Sequence, residues 1–144
     1  MRLLVSACLL GVPCRYDGKS IPCPAVLSLA KKHQLVPFCP EIYGGLPTPR
    51  PPAEAKDGRV LDREGNDKTA QFVRGASEAL RVYRLADCEA AILKSRSPSC
   101  GLHQIYDGSF TGALVPGSGF TAALFREEGI QVFDEEHIEE IPGI

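Results

Sequence analysis

Three short apolar segments separated by helical patterns place the strongest constraint on the fold of this chain. The segments are Leu3–Ala7, Leu35–Phe38 and Ala90–Lys94, and each has the length of a strand rather than of a helix. Strands that alternate with helices are typical of a parallel sheet covered by helices on both faces. We therefore predict an α/β fold, a small Rossmann-like three-layer domain with a mostly parallel sheet.

Turn and helix signals occupy the rest of the chain. Asp57-Gly58 and the run Glu64–Asp67 mark two turns, which predict a short hairpin insertion over Lys56–Asp67. Segments 39–52 and 95–111, rich in proline, glycine and polar residues, are expected to be loops without regular structure. Helical spacing and capping residues predict helices over Pro24–His33, from a cap at Asp67 or Thr69 to about Leu85 and over Gly119–Glu128, then a strand at Ile130–Phe133 and a helical turn at Glu135–Glu140.

Length and charge narrow the classes of function. A chain of 144 residues has the size of one domain, which we assign to residues 1–144. A formal net charge of −2 provides no basic surface, so we expect no duplex nucleic acid as a partner. No apolar run reaches the length of a membrane span, and Leu3–Val12 reads as strand and loop rather than as a signal peptide. We therefore expect a cytoplasmic protein without a membrane partner. A GxGxxG loop does not follow the first strand, so dinucleotide binding is not indicated.

Three of the six cysteines follow the three apolar strands. They are Cys8, Cys39 and Cys100. Because the carboxyl ends of parallel strands share one edge of a sheet, these thiols are expected to converge. Clustered cysteines in a reducing compartment more often bind metal or catalyse than form disulfides, and three thiolates would leave one coordination position open. The residues alone leave a second interpretation open, in which the three are small buried packing side chains.

The other three cysteines carry weaker signals. Cys23 lies near the start of a predicted helix and Cys88 at the amino end of the third strand, so both are expected to pack in the interior. Cys14 follows Cys8 by six residues in the same loop. The sequence leaves Cys14 open as a fourth ligand, a supporting thiol or a packing residue. No CxxC pair is present, so spacing alone does not indicate a zinc or ferredoxin site.

The first loop permits a competing hypothesis. Segment Cys8–Arg15 resembles the phosphate-binding loop of low-molecular-weight tyrosine phosphatases and arsenate reductases, in which a cysteine and an arginine enclose an oxyanion. Those enzymes use the spacing Cys-x5-Arg, whereas this chain has Cys-x6-Arg and loses one N–H donor at Pro13. The hypothesis also gives no role to Cys39 or Cys100. A cysteine-dependent oxyanion enzyme is therefore the alternative function.

Polar residues next to the strand-end cysteines are candidates for chemistry and binding. Glu41 follows Cys39 in a stiff loop and is a candidate general acid or base. The hydroxyls and guanidinium that precede Cys100 can orient water or donate to a substrate heteroatom. The three histidines show no ligand spacing, and we give them no role. The predicted catalytic residues are Glu41, Ser97 and Ser99, and the predicted substrate contacts are Ser6, Tyr16 and Arg96.

Six motifs distributed over nearly the whole chain form a specific combination. They are Val5–Gly11, Cys14–Gly18, Phe38–Glu41, Gly44–Arg50, Leu93–Gly101 and Ile105–Phe110. Together they resemble the 2-thiouracil desulfidase (TudS) family, which was long catalogued as a domain of unknown function. The chain shows no departure from the core motifs, although the substrate range within such a family is not fixed by them.

The resemblance implies both a cofactor and a reaction. It implies a 4Fe-4S cluster held by only three cysteines, Cys8, Cys39 and Cys100, with one open iron that takes the sulfur of a small thionucleobase. It also implies that Glu41 is the acid or base and that Ser97, with Ser99, provides orienting hydroxyls. The products are the oxo base and hydrosulfide, formed without net electron transfer. A non-catalytic carrier of clusters or sulfur is a further alternative, and the oligomeric state is not indicated.

Overall fold

The apolar segments form strands of one parallel sheet. The computed structural model describes residues 1–144, and its strands are β1 Arg2–Ser6, β2 Gln34–Phe38, β3 Ala53–Lys56, β4 Arg59–Asp62, β5 Ala90–Leu93, β6 Gln104–Tyr106, β7 Leu114–Pro116 and β8 Val132–Asp134. The helices are α1 Pro24–Leu27, α2 Pro40–Tyr43, α3 Thr69–Leu85 and α4 Phe120–Glu127, with 3-10 turns at Ala7–Leu10, Ser28–Lys31 and Ile138–Glu140. The central sheet has the order β2-β1-β5-β8 and is parallel throughout, whereas β3–β4 and β6–β7 are antiparallel hairpins. The predicted α/β fold with a mostly parallel sheet is confirmed.

Both faces of the central sheet are covered, because side chains alternate between the faces along each strand. Leu3 and Val5 of β1 pack toward Val26 of α1. Leu4 belongs to the opposite face, where it shares a core with Phe125 of α4 and with side chains of α3. All five are at most 1% exposed, so neither face of β1 meets solvent. The arrangement has three layers, as predicted.

Several element boundaries differ from the sequence prediction. The helix expected over Pro24–His33 is wrong in extent, because α1 ends after one turn and only Val26 is buried in it. A helix without a packed apolar face gains little stability from tertiary contacts. The expectation that segment 39–52 lacks helix is also wrong, since α2 forms one turn there with proline at its first position, where proline is tolerated. Strand β6 lies within the expected loop 95–111 and pairs with β7.

The hairpin insertion is present but begins earlier than predicted. It consists of β3 and β4, which turn at Asp57 and Gly58. These two residues have φ of 53° and 75°, the positive values that a two-residue type I′ turn requires. The second turn signal, Glu64–Asp67, follows β4 and leads into α3 instead of belonging to the hairpin.

Helices α2 and α3 approach each other at their backbones. A Cβ at Gly75 of α3 would overlap the carbonyl oxygen of Pro40, and a Cβ at Gly44 would overlap the carbonyl oxygen of Gln71. A glycine in a helix interior costs about 1 kcal/mol relative to alanine. Gly75 is tolerated because only a residue without a side chain permits this contact, which fixes the position of α2 against α3.

The helices of the structure are short. The longest is α3, with 17 residues, and it carries arginine and glutamate side chains along one side. None of them combines the length and apolar character that a membrane span needs.

Candidate metal centre

The strand ends bring three cysteines to one edge of the central sheet. Cys8 lies in the 3-10 turn after β1, Cys39 directly follows β2 and caps α2, and Cys100 lies in the loop after β5. Because β1 lies between β2 and β5 in the parallel sheet, these three strand ends are neighbours. A cavity of about 490 Å³ opens at this edge. All nine residues that the sequence analysis selects line it: Ser6, Cys8, Tyr16, Cys39, Glu41, Arg96, Ser97, Ser99 and Cys100.

A fourth thiol, that of Cys14, lines the same cavity. Its side chain is hydrogen-bonded with the thiols of Cys8 and Cys39. The Cys39 thiol also approaches the carbonyl oxygen of Cys14 at 3.9 Å. The buried Cys14 side chain therefore belongs to the same group of thiols, and its position suits either a fourth ligand or a supporting thiol.

Three thiols of the cavity, those of Cys14, Cys39 and Cys100, have raised pKa values that keep them protonated. Burial raises the pKa of Cys100 to about 12, against two serine hydrogen bonds that lower it. The hydrogen bond with Cys14 and burial both raise the pKa of Cys39. At Cys14 the hydrogen bond with Cys39 lowers the pKa, but the hydrogen bond with Cys8 and burial outweigh it and raise the pKa to about 11. Such thiols become thiolates when a metal displaces their protons. A convergent set of free, soft sulfur donors fits an iron–sulfur cluster.

The remaining two cysteines lie outside this cavity. Cys23 caps α1 and packs against the core on one face of the sheet. Cys88 packs against the core on the other face, at the amino end of β5. Both are half-buried and free. Their positions agree with the packing roles expected from the sequence.

Both carboxylate oxygens of Glu41 are held by hydrogen bonds. Oε1 accepts from Nε and Nη2 of Arg50 at 3.2 and 3.1 Å. Oε2 accepts from the Ser99 hydroxyl at 3.0 Å. The Arg50 and Glu41 side chains are only 5% and 16% exposed, so solvent screens this ion pair far less than a surface pair. The carboxylate is therefore fixed in one orientation on the cavity wall.

A chain of hydroxyl groups connects Glu41 to the turn that carries Cys100. Ser97 Oγ accepts the backbone N–H groups of Ser99 and Cys100 at 3.1 and 3.0 Å. Its own proton is then available to Ser99 Oγ, 2.9 Å away. Ser99 Oγ in turn donates to Glu41 and lies 3.7 Å from Cys100 Sγ. Ser97 thus fixes the turn, while Ser99 contacts both the carboxylate and the thiol.

Ser6 connects β1 to Cys100. Its hydroxyl accepts from the backbone N–H of Lys94 at 2.8 Å and donates to Cys100 Sγ at 3.3 Å. The residue is only 4% exposed. Because the one O–H donor of this hydroxyl is directed at Cys100 and the residue is buried, the geometry favours a role in holding Cys100 over the expected substrate contact.

Two walls of the cavity differ in their residues. We define the inner wall as Cys8, Cys14, Cys39, Glu41, Ser97, Ser99 and Cys100, and the outer wall as Tyr16, Arg96, Tyr106 and Phe110. In the outer wall, the Tyr16 ring is 40% exposed and lies 5.7 Å from the Arg15 guanidinium. Arg96 is paired with Glu136 at 2.9 Å. Phe110 is held through its backbone N–H, which donates to Glu54 of the β3–β4 hairpin at 3.1 Å.

A model of the 2-thiouracil desulfurase family matches residues 3–137 of the chain. The chain belongs to this family. The uncharacterised protein YbbK of Bacillus subtilis (strain 168) is 37% identical over 149 residues, which cover 96% of this chain and 99% of that protein. Among solved structures, the 4Fe-4S-dependent thiouracil desulfidase TudS is 48% identical with a TM-score of 0.90, over 96% of this chain and 93% of that one. The family resemblance carried by the six sequence motifs is confirmed.

One residue of the site, Arg50, received no role in the sequence analysis. Arg50 donates to Glu41 and also, through Nη2, to the carbonyl oxygen of Cys14 at 2.9 Å. Its backbone N–H donates to the carbonyl oxygen of Tyr16 at 2.8 Å. One buried guanidinium therefore joins the acid–base candidate to the first loop. Its only sequence signal is its place in the proline-rich motif Gly44–Arg50, where flanking prolines restrict the backbone.

The first loop does not form a phosphate cradle. The N–H groups of Gly11, Val12 and Cys14 donate to the carbonyl oxygens of Cys8, Ala7 and Val12 within the same loop. An oxyanion cradle needs such N–H groups free and pointing at the ligand. The competing oxyanion-enzyme hypothesis therefore lacks both its arginine spacing and its donors.

Proposed function

We propose that this chain is a thiouracil desulfidase that replaces the sulfur of a 2-thiouracil-like base with oxygen and releases hydrosulfide. The observation that carries the proposal is the hydrogen-bonded unit of Glu41, Ser99 and Cys100 on the wall of a thiol-lined cavity. A proton acceptor beside a group that would ligate a metal supports the proposal, because hydrolytic removal of sulfur requires both. Membership of the 2-thiouracil desulfurase family and the likeness to TudS support it.

We assign the cofactor to Cys8, Cys39 and Cys100, which would hold a 4Fe-4S cluster with one iron free of protein ligands. When bound, the cluster supplies a soft Lewis acid that holds the sulfur of a thiocarbonyl and accepts it. Cys14 then serves as a supporting thiol. Ser6 donates its hydroxyl proton to Cys100 Sγ and so stabilises that residue as a thiolate.

Glu41 moves the proton in this reaction. Its Oε2 accepts one hydrogen bond, from Ser99, and has a lone pair left for a water molecule in the cavity. As that water attacks the carbon that bears sulfur, Glu41 accepts its proton. The balance is C=S plus water giving C=O, hydrosulfide and a proton, which Glu41 passes to solvent, and no electron is transferred.

The other residues of the cavity hold the reacting groups in place. Arg50 fixes Glu41 Oε1, and the Ser97–Ser99 chain fixes Oε2. Tyr16 and Phe110 of the outer wall offer aromatic faces on which a planar base stacks, an interaction worth about 1–3 kcal/mol per base. The inner wall thus carries the chemistry and the outer wall carries recognition.

The decisive experiment is anaerobic reconstitution followed by an assay of 2-thiouracil conversion to uracil and sulfide. We expect roughly four irons per chain, the content of one cubane cluster. Glu41→Gln should keep the iron and lower the rate of uracil formation by about 10²- to 10⁴-fold, because the general base is lost. Exposed Glu64→Gln is the matched control and should change neither.

Other outcomes would point to other functions. A bound cluster with no hydrosulfide release from any thiolated base would indicate a carrier of clusters or sulfur. Phosphatase activity without iron, lost in Cys8→Ser but not in Cys100→Ala, would restore the oxyanion-enzyme hypothesis. The cytoplasmic location and the single domain over residues 1–144 stay predictions.

A further inference from the structure

A second group of metal-ligating side chains lies outside the thiol-lined cavity. It consists of His103, Asp134 and His137, whose ligand atoms all lie within 4.8 Å of one another. His103 belongs to the loop after Cys100, Asp134 ends β8, and His137 precedes the last 3-10 turn. Thirty residues of chain separate the first from the second, so only the fold brings them together. No step of the proposed reaction uses any of the three.

The backbone on which two of these residues stand is rigid. Asp134 pairs with Leu93 in the central sheet and is 3% exposed. The residue before His103 is the buried Leu102, whose carbonyl oxygen accepts from Arg126 at 2.7 Å and from Ser118 at 3.0 Å. A site on such fixed elements can hold ligand groups more closely than a site on free loops.

The hydrogen bonds of Asp134 leave one of its oxygens for a ligand. Oδ1 accepts from the backbone N–H of Glu136 at 3.0 Å and contacts His137 Nδ1 at 2.8 Å. Oδ2 takes part in none of these bonds. The rings of His103 and His137 meet edge to face, nearly perpendicular and with centroids 5.9 Å apart, and one nitrogen of each lies within 4.8 Å of the other and of an Asp134 oxygen.

The charges around this group favour a cation. Glu139 and Glu140 are close enough to His137 that their charges act on its imidazole, in addition to the larger effect of Asp134. Arg96 is paired with Glu136 at 2.9 Å, and the Arg126 guanidinium contacts the carbonyl oxygen of Leu102 beside His103. The carboxylates of Asp134, Glu139 and Glu140 outnumber this one unpaired arginine. Imidazole and carboxylate together are the donors that zinc and related divalent metals prefer.

We propose that His103, Asp134 and His137 bind a divalent transition-metal ion of the zinc class with three protein ligands. Two ligands of a tetrahedral zinc lie about 3.3 Å apart, given metal–ligand bonds of about 2.0–2.1 Å. The present spread of up to 4.8 Å needs a shift of roughly 1.5 Å or less, which rotation of the exposed His103 ring provides. The ion fastens the loop that carries Cys100 to the end of β8 and to the C-terminal turn.

The test is anaerobic titration of the cluster-loaded protein with zinc chloride, followed by calorimetry. We expect one zinc per chain, and His103→Ala and His137→Ala should each weaken its binding at least about tenfold. His33→Ala, which removes the one histidine remote from the group, is the matched control and should not change the affinity. Zinc should also raise the Tm of the unchanged protein and not that of His103→Ala.

Each contrary outcome is distinguishable. No binding by the unchanged protein, or equal binding by His103→Ala, would overturn the proposal. An equal loss in His33→Ala would indicate non-specific imidazole binding and would overturn it too. Asp134→Asn tests the buried ligand with little change of shape. Iron content and cluster absorbance, measured before and after, show whether zinc has displaced iron, so a failure of the proposed cluster is detected separately.

Discussion

The inner and outer walls of the cavity are built in opposite ways. On the inner wall, Glu41, Ser97 and Ser99 exchange hydrogen bonds with one another, and the thiols beside them are buried or half-buried. On the outer wall, Tyr16 is 40% exposed and the Arg96 side chain equally so. The inner wall stands mainly on the ends of the central strands and the turns that follow them, whereas the outer wall stands on loops and on the end of β6. Substitutions on the outer wall, the proposed recognition surface, are therefore expected to leave the proposed chemistry of the inner wall intact.

Removal of a ligand should give the largest effect. Cys8→Ala, Cys39→Ala and Cys100→Ala should each reduce reconstituted iron from roughly four per chain to below one and abolish uracil formation, because a cubane cluster needs its thiolates. Iron analysis and cluster absorbance measure this. Cys88→Ala, a free cysteine outside the cavity, is the control.

The iron content of the Cys14→Ala variant tests whether Cys14 belongs to the ligand set. Cys14→Ala should keep the full iron content if Cys14 is only a supporting thiol. Loss of iron in Cys14→Ala together with full iron in one of the other three variants would replace that residue by Cys14 in the ligand set.

Arg50→Lys should give the next largest effect, on kcat rather than on KM. Arg50 holds Glu41 Oε1 through two N–H groups, and a lysine ammonium cannot reproduce that planar contact. Misplacement of a catalytic group by about 1 Å costs up to roughly 100-fold in rate, so we expect kcat to fall about 10- to 100-fold. Arg59→Lys, in an exposed ion pair, is the control. A changed KM with an unchanged kcat and pH profile would place Arg50 in substrate binding instead.

A smaller effect is expected on the outer wall. Tyr16→Ala and Phe110→Ala should raise KM by about tenfold with kcat nearly unchanged, since one stacked base contributes roughly 1–3 kcal/mol. Tyr16→Phe keeps the ring and should keep KM. Equal losses of kcat in the alanine variants would show that the two walls do not divide chemistry from recognition.

The smallest effect concerns the pH dependence of stability, through Glu135, which holds the start of the loop that carries Arg96. Burial raises the pKa of Glu135, but the backbone N–H of Ser95 and the charge of Lys94 outweigh it and hold that pKa below its usual value of 4.5. The stabilisation is therefore complete above about pH 4.5 and is lost as pH falls through the folded pKa. Urea unfolding at pH 7 and pH 4 measures it. Glu135→Gln should show a smaller difference in unfolding free energy between the two pH values, and an unchanged difference would contradict the assignment.

The sequence predicted the parallel sheet because its strands are continuous apolar runs that are too short to form helices. It did not predict β6 and β7, since Gln104–Tyr106 and Leu114–Pro116 are short and largely exposed, and each is a strand only through pairing with the other. The sequence does not predict the one-turn helix α2, because the prolines and glycines of segment 39–52 indicate a loop, although Pro40 stands at the first helical position, where proline is tolerated.

In the site too, residues with a local sequence signal were predicted, whereas residues that meet only through the tertiary fold were not. Cys8, Cys39 and Cys100 were identified from strand ends, because topology determines where such ends meet. Arg50 was not identified, because its contact with Glu41 depends on how the proline-rich loop between them folds. His103 and His137 lie 34 positions apart and meet only when β8 is placed beside β5. Contacts of this kind have no signature in the spacing of residues.

The contact of Gly75 with Pro40 has a consequence for mutation and for redesign. Helix α2, which carries Cys39 at its start and Glu41 in its first turn, packs against the backbone of α3 at Gly75. One added methyl group at Gly75 would therefore displace both the proposed ligand and the proposed base. Gly75 does not line the cavity, yet it belongs among the positions that a redesign should leave unchanged. A glycine-to-alanine change, usually harmless or stabilising within a long helix, would at this position disturb the proposed catalytic site.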